Sequence, residues 1–403
     1  VSRPTLPILA TVLAGALVAP LLAAAPASGA PARRIDYAQW DTATELRSGT
    51  LAGVRVGAGG RISLPPDTRA GIWRSPWAQP GFRLTRLIAS WDARTPGNSR
   101  IRIDVRGRTG TTTSSWDTLG VWAEHDRFFR RTTKGPQRDD LGSVSVDTWA
   151  VPGGVTAYQL RVTLVRRAGQ ARSPFVDTVG AVASRLPDVS SVPTSKPGPA
   201  SGIVLDVPGY SQMIHRGHYP EYGAGGEAWC SPTSTSMVLG YYGALPDAAA
   251  YASVPANHVD PWVDHAARMT YDYAYRGTGN WPFNTAYAAT LVDRAFVTRL
   301  RSLREAELFI QAGIPLVASI AFGRGQLTGA PISSSNGHLL VISGFTDTGD
   351  VVVNDPAAAS DAAVRRTYDR GEFENVWLPA SGGTVYVIAD AAHPLPVSPR
   401  GNW

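Results

Sequence analysis

The chain of 403 residues has one cysteine, Cys230. A lone cysteine excludes an internal disulfide as a source of stability, because a staple needs a second thiol. After the first thirty residues no apolar run approaches the length of a membrane span, so no span is expected once a leader is removed. No phosphate loop or dinucleotide fingerprint occurs, which argues against nucleotide chemistry; no nucleic-acid partner is expected. What is present around the single thiol is therefore the more informative. Cys230 sits in Gly226-Glu227-Ala228-Trp229-Cys230-Ser231-Pro232-Thr233, directly ahead of a helical segment, Ser234 to Tyr242. At a helix start the unsatisfied N–H groups and the positive end of the dipole favour a thiolate, which is how a nucleophile is prepared. The plain alternative is an inert small core residue, the usual role of a free cysteine.

Arg3 precedes an apolar run from Ile8 to Ala24 and small residues through Ser28-Gly29-Ala30, the pattern of a signal peptide over residues 1–30. The expected product is secreted, extracellular or associated with the cell wall. The stretch from Leu186 to Gly202 is rich in Pro, Ser and Gly, lacks periodicity and reads as an extended linker. It divides a first module, 31–185, from a second, 203–403. The first carries a net charge of +11 and the second −6, within a total of +6. The cations of the first module are nearly all arginine, whose guanidinium pairs with phosphate and carboxylate in bidentate fashion. An anionic cell-wall polymer or acidic glycan is one candidate partner for that module. A solvated basic surface is the other reading.

In the first module Ile101, Ile103 and Val105 alternate with Arg102, Asp104 and Arg106, and Tyr158, Leu160, Val162 and Leu164 alternate with polar residues. Short alternating runs separated by turn residues predict an all-β antiparallel sandwich. Trp73, Trp77, Trp91, Trp116 and Trp122 could form a sugar-binding platform, although tryptophan in a sandwich is more often core.

The second module mixes helices and strands. Met237, Val238 and Tyr241 fall at helical spacing behind Cys230, with Pro232 near the first helical position, where its missing N–H costs nothing. Leu303 to Gln311 reads as a further helix, with Glu305 and Glu307 expected on an exposed face, and Leu316 to Ile320 as the next strand. The apolar runs His338 to Ser343 and Asp350 to Val353 flank Thr346-Asp347-Thr348-Gly349, a hairpin signal. If the strands pair about the point between Thr346 and Asp347, His338 and Asp355 lie directly opposite each other, within hydrogen-bonding reach. A carboxylate fixes the tautomer of an imidazole and leaves its other nitrogen to take a proton from a thiol. Cys230, His338 and Asp355 thus supply a nucleophile, a base and a group that orients the base.

Val207-Pro208-Gly209-Tyr210-Ser211-Gln212-Met213, Trp229-Cys230-Ser231-Pro232, Gly337-His338-Leu339-Leu340-Val341-Ile342-Ser343-Gly344-Phe345 and Val353-Asn354-Asp355-Pro356 stand in that order. The set resembles the motifs of the bacteriocin-processing (double-glycine leader) peptidase-like family, a branch of the papain-fold cysteine peptidases. The resemblance spans roughly Asp206 to Asp390. It implies an α+β papain-like fold in which a cysteine-bearing helix packs on an antiparallel sheet carrying His338 and Asp355. It also implies that Gln212 donates to an oxyanion hole completed by the backbone N–H of Cys230. Two departures stand out. Gln212 lies 18 residues before Cys230, with His215-Arg216-Gly217-His218 and a glycine-rich stretch between, and Ser231 replaces the usual glycine after the cysteine. The insertion is expected to form a lip over the cleft, with Tyr219, Tyr222 and Trp229 touching substrate. Trp281, in the turn-rich loop Arg276 to Phe283, is a further substrate-binding candidate, with core packing its alternative.

His258, Asp260, Asp264 and His265 are close in sequence, but their spacing matches no standard metal-ligand pattern, so neither a metal nor another cofactor is expected. The sequence therefore predicts an exported cysteine peptidase acting on a peptide or protein through an acyl-enzyme. Two alternatives are a peptidoglycan amidohydrolase with the same triad and a non-catalytic surface-binding protein.

Overall fold

A strand that alternates apolar and charged residues can bury only one face. A computed structural model of the chain describes Val1 and residues 32–135, 137–138 and 140–403. In it the two alternating runs are the strands Ser99–Thr109 and Ala157–Arg166, paired antiparallel with Leu160 opposite Val105, Val162 opposite Ile103 and Leu164 opposite Ile101. All six of those apolar side chains are fully buried. This sheet faces a second one centred on Leu84–Arg94 and Phe175–Arg185, also antiparallel, to which Arg34–Trp40 and Thr148–Val155 add. The expected signal peptide lies outside the described residues.

The first module's tryptophans divide by position. Trp73, Trp91 and Trp122 are buried in the core, which corrects their reading as a sugar platform. Trp77 and Trp116 lie on the outer face of the sheet under arginines: Arg106 and Arg108 cover Trp77 at 5.1 and 4.4 Å, and Arg106 and Arg161 cover Trp116 at 4.5 and 4.3 Å. Their ring faces are spent on guanidinium contacts within the module. Arg161 and Arg102 also flank the buried Asp104 at 2.8 and 3.1 Å, so part of the positive charge is neutralised locally.

The second module is a sheet of six antiparallel strands with helices against it. The strands are β1 (Arg294–Arg299), β2 (Leu316–Phe322), β3 (Ser335–Phe345), β4 (Val351–Asn354), β5 (Arg365–Tyr368) and β6 (Thr384–Ala389), in the order β1-β6-β2-β3-β4-β5. The longer helices are α1 (Cys230–Tyr241), α2 (Pro261–Thr270), α3 (Trp281–Ala288), α4 (Leu303–Gln311) and α5 (Arg370–Ser381). Among the described residues no helix is long and apolar enough to cross a membrane. Antiparallel sheet thus dominates both modules.

Helix α1 is buried nearly all round, although it is rich in hydroxyl side chains, and each hydroxyl then needs a partner. Ser231 shares a 2.9 Å hydrogen bond with the Tyr386 hydroxyl, and Ser234 donates to the Leu339 carbonyl at 3.1 Å. The first of these shows how a side chain is accommodated at the position after Cys230. Helix α4 corrects an expectation: Glu305 and Glu307 are buried, not exposed. Glu305 accepts from Arg301 and Asn402, and Glu307 pairs with Arg370 at 2.7 Å.

Residues 33–403 form one compact unit, and the modules share a continuous hydrophobic core. Phe283 of α3 packs edge-on against Trp91 at 6.2 Å and tilted against Trp122 at 5.5 Å. Arg268 of α2 makes a two-pronged ion pair with Asp126, and the Thr133 hydroxyl and N–H both donate to Asp272. The Leu186–Gly202 segment has no helix or strand, yet it is strapped down: the Val192 N–H donates to Asn375, the Ser195 N–H to Glu374, and Arg370 donates to the Ser195 carbonyl.

Candidate functional site

Trp229 closes a short turn of helix and Cys230 is the first residue of α1, so the thiol stands where the helix begins. It is partly exposed and unpaired with any other cysteine. His338 projects from β3, which packs directly against α1. Its Nε2 lies 2.7 Å from Asp355 Oδ1, and Cys230 is near enough to act on the charge of the ring. With Nε2 committed to the carboxylate, Nδ1 is the nitrogen left to serve the sulfur.

The direct opposition of His338 and Asp355 that the sequence predicts is not found. The hairpin turns about Thr348, and a bulge between Ile342 and Gly344 shifts the ladder, so that Val341 pairs with Asn354. Asp355 lies just past the end of β4 as a diagonal neighbour of His338. The offset from the predicted register is even, which keeps both side chains on one face. A segment from the domain's start pairs antiparallel with β3 beside the bulge: Val204 lies opposite Gly344, with Leu205 N–H donating to Ser343 O and Phe345 N–H to Ile203 O. A Cβ on Gly344 would meet the Ile203 carbonyl at 2.4 Å, so that close pairing requires glycine.

Asp355 is fully buried and fully engaged. Oδ1 accepts from His338 and from the Ala357 N–H at 3.0 Å, and Oδ2 accepts from the Tyr368 hydroxyl at 2.7 Å. Burial alone would raise its pKa, but the His338 charge and these donors hold it below the ordinary carboxylate value. For His338, burial opposes protonation, while Asp355 and Cys230 favour it strongly enough to push the imidazole up to about 10. Tyr368, on β5, was not foreseen. An aromatic residue at the end of an edge strand carries no local sign that it will reach a carboxylate on the neighbouring strand.

Gln212 opens a short 3-10 helix, Gln212–His215, and is buried. Its N–H donates to the Pro356 carbonyl, next to Asp355, and its side-chain Nε2 donates to the Glu227 carbonyl at 2.5 Å. One amide hydrogen of Gln212 thus holds the segment leading into Cys230, and its Oε1 is buried without a hydrogen-bond partner.

A cleft of about 590 Å³ opens over Cys230. Gly337 and Leu339 flank His338 along one wall, and the loop from Tyr275 to Gly279 with Trp281 forms another. The first module supplies a third wall, the hairpin tip Ser145-Val146-Asp147. Val146 has φ 53°, a left-handed conformation that β-branched residues seldom adopt. Asp147 accepts from the Trp281 N–H at 3.1 Å, which ties the tip to the start of α3. Burial raises Asp147 to about 6 against the pull of those donors.

Of the substrate-binding candidates, Trp281 lines the cleft. Trp229 is completely buried, with its indole N–H on the Tyr222 carbonyl at 2.6 Å, so it has no surface to offer a substrate. Tyr219 and Tyr222 pack on one another and against His258 and Tyr271, and the cleft lining next to them is the glycine Gly223. The insertion they belong to packs on α2 and also reaches the cleft, where Gly223 and Ala228 form part of its lining.

Residues 36–184 match the model of the Peptidase C39 N-terminal domain, and residues 204–385 match that of the Peptidase_C39 like family. The chain belongs to the C39-like peptidase family. The two matches together cover most of this C39-like peptidase and meet at the strapped segment. No curated protein matches it. Among solved structures, the complex of the kappa-carrageenase from Pseudoalteromonas carrageenovora with an oligotetrasaccharide of kappa-carrageenan is similar at 9% identity and a TM-score of 0.22. That match covers 40% of this chain and 99% of that one, and at such a score it carries no argument.

Proposed function

We propose that the chain is a cysteine peptidase of papain-like α+β design, with Cys230 as nucleophile, His338 as acid and base, and Asp355 as the group that orients His338. The observation that carries this reading is the 2.7 Å contact between His338 and a fully engaged Asp355, beside a cysteine at a helix start in an open cleft. Cys230 passes its thiol proton to His338 Nδ1, its sulfur attacks the peptide carbonyl carbon, and the electron pair of the C=O bond moves onto oxygen. The backbone N–H of Cys230 and the second amide hydrogen of Gln212 receive that oxyanion. As the tetrahedral species collapses, the C–N bond breaks and His338 Nδ1 gives its proton to the leaving amine. Water then attacks the thioester, His338 takes its proton, and the acid product leaves with Cys230 regenerated.

The first module belongs to this cleft. Its tip, Ser145 to Asp147, lines the same groove as Trp281 and Tyr275, which favours a role in selecting the peptide over a separate glycan-binding role. The apolar run from Ile8 to Ala24 supports action outside the cytoplasm. The experiment is a fluorogenic peptide library with mass-spectrometric identification of products. Cleavage at amide bonds, with a thioester trapped on Cys230 by rapid acid quench, supports the reading. Turnover that survives unchanged in Cys230→Ala ends it.

A further inference from the structure

A second histidine–carboxylate centre lies in the insertion that separates Gln212 from Cys230. Asp264, in the first turn of α2, is buried. Its Oδ2 is 2.9 Å from His215 Nδ1, and its Oδ1 is 3.0 Å from His218 Nδ1 and 3.0 Å from His258 Nδ1. One ligand atom each from His215, His218 and Asp264 fall within 4.8 Å of one another. The His218 and His258 rings stack at 3.5 Å with 16° between their planes, so both bring a nitrogen to the same carboxylate oxygen.

We propose that His215, His218, His258 and Asp264 bind a divalent first-row transition ion, zinc being the one the donor set suits best. Three imidazole Nδ1 atoms from separate parts of the chain converge on one carboxylate. His215 and Asp264 are completely buried, so an ion held between them is shielded from solvent. Three imidazole nitrogens and a carboxylate oxygen make an N₃O set of the kind tetrahedral zinc accepts. Zinc bonds of about 2.0–2.1 Å put neighbouring ligand atoms about 3.3 Å apart, so the 2.9–3.0 Å contacts need only a small expansion.

The backbone prepares the arrangement. His215 ends the short helix that Gln212 opens, Gly217 takes φ 78°, and the chain turns so that His218 returns beside His215. A Cβ on Gly226 would meet the His215 carbonyl at 2.1 Å, so the glycine-rich part of the insertion is what lets it pack there. With four protein ligands the site is closed, which marks it as structural. It would staple the insertion to α2 in a chain that has no disulfide to do so. The ion sits beyond the ring of Trp229, whose centroid is 6.1 Å from that of His215, and takes no part in the chemistry of Cys230.

The test uses the full chain carrying Cys230→Ala, which removes the thiol as a competing ligand. The protein is stripped with a chelator, then titrated with zinc chloride and with cobalt chloride. The expected result is about one ion per chain, a rise in Tm on adding zinc, and a tetrahedral cobalt spectrum. His218→Ala and His258→Ala, both at partly exposed positions, should each weaken zinc binding by more than about 10-fold while the far-UV spectrum stays unchanged. No bound ion and no shift in Tm would overturn the site. So would zinc that binds the His218→Ala/His258→Ala double variant as tightly as the parent. None of these readouts depends on peptidase activity, so the two proposals fail separately.

Discussion

Asp355 and Asp264 are both buried carboxylates that meet histidine, yet their surroundings differ in a way that separates their roles. Asp355 meets one imidazole and fills its remaining capacity with a tyrosine hydroxyl and a backbone N–H. Asp264 meets three imidazoles. The first arrangement holds a single ring in one orientation and leaves its second nitrogen for a neighbouring thiol. The second converges several lone pairs on one point. The number of imidazoles per carboxylate, and what fills the rest of its coordination, distinguishes a base-orienting carboxylate from a metal ligand more clearly than any histidine–aspartate distance does.

The comparison can be sharpened by substitution. The largest effect is expected from His338→Ala, which should lower kcat/KM by about 10²–10⁴-fold, the usual contribution of a positioned acid or base. Zinc stoichiometry should not change. Gln212→Ala should cost about 10²-fold in kcat if its amide serves the oxyanion, as loss of one such donor does elsewhere. Asp355→Ala should move the alkaline limb of the pH–kcat/KM profile down from about 10, because Asp355 is the principal group that raises His338. The same linkage acts on stability. A proton held more tightly in the folded chain stabilises it fully below the ordinary imidazole value of 6.5, and that contribution is lost as pH rises through about 10. Asp355 has the opposite sign: its contribution is present above the ordinary carboxylate value and is lost as pH falls through its lowered folded value. Urea unfolding of the parent and of His338→Ala at pH 6 and pH 10.5 should therefore show a difference that shrinks at the higher pH.

Smaller effects lie at the edges of the site. Tyr368→Phe removes a hydrogen bond to a buried charge and should cost about 1.5–3 kcal/mol of stability by urea titration. Asp147→Ala frees the hairpin tip from the Trp281 N–H and should alter the peptide preference profile more than the rate on the best substrate. A preference profile identical to the parent's would argue that the first module only abuts the cleft.

Much of this was legible along the chain. The alternation at Ile101–Val105 and Tyr158–Leu164 gave the paired strands of the sandwich, and the residues after Cys230 gave a helix, although α1 begins at Cys230 itself and not at Ser234. The hairpin was legible as a hairpin, but its register was not, because a bulge between Ile342 and Gly344, where Ile203–Leu205 pairs with β3, shifts the ladder. No local pattern records that pairing. Composition could not divide the tryptophans into core and surface, since both sets are flanked by similar residues; the fold separated them. The Asp264 centre was hidden for the same reason. His215 and His218 lie about forty residues before His258 and Asp264, and only the folding of the insertion onto α2 unites them. Spacing within 258–265 alone gave no ligand pattern.

The most direct test of the central claim compares the parent chain and Cys230→Ala on the peptide substrate selected from a library, with intact-mass analysis after acid quench. The account predicts amide-bond cleavage and a substrate-derived acyl adduct on Cys230 in the parent, and a fall of at least about 10⁴-fold in kcat/KM in a folded variant. Equal cleavage by the two chains, with no adduct on Cys230, would contradict it.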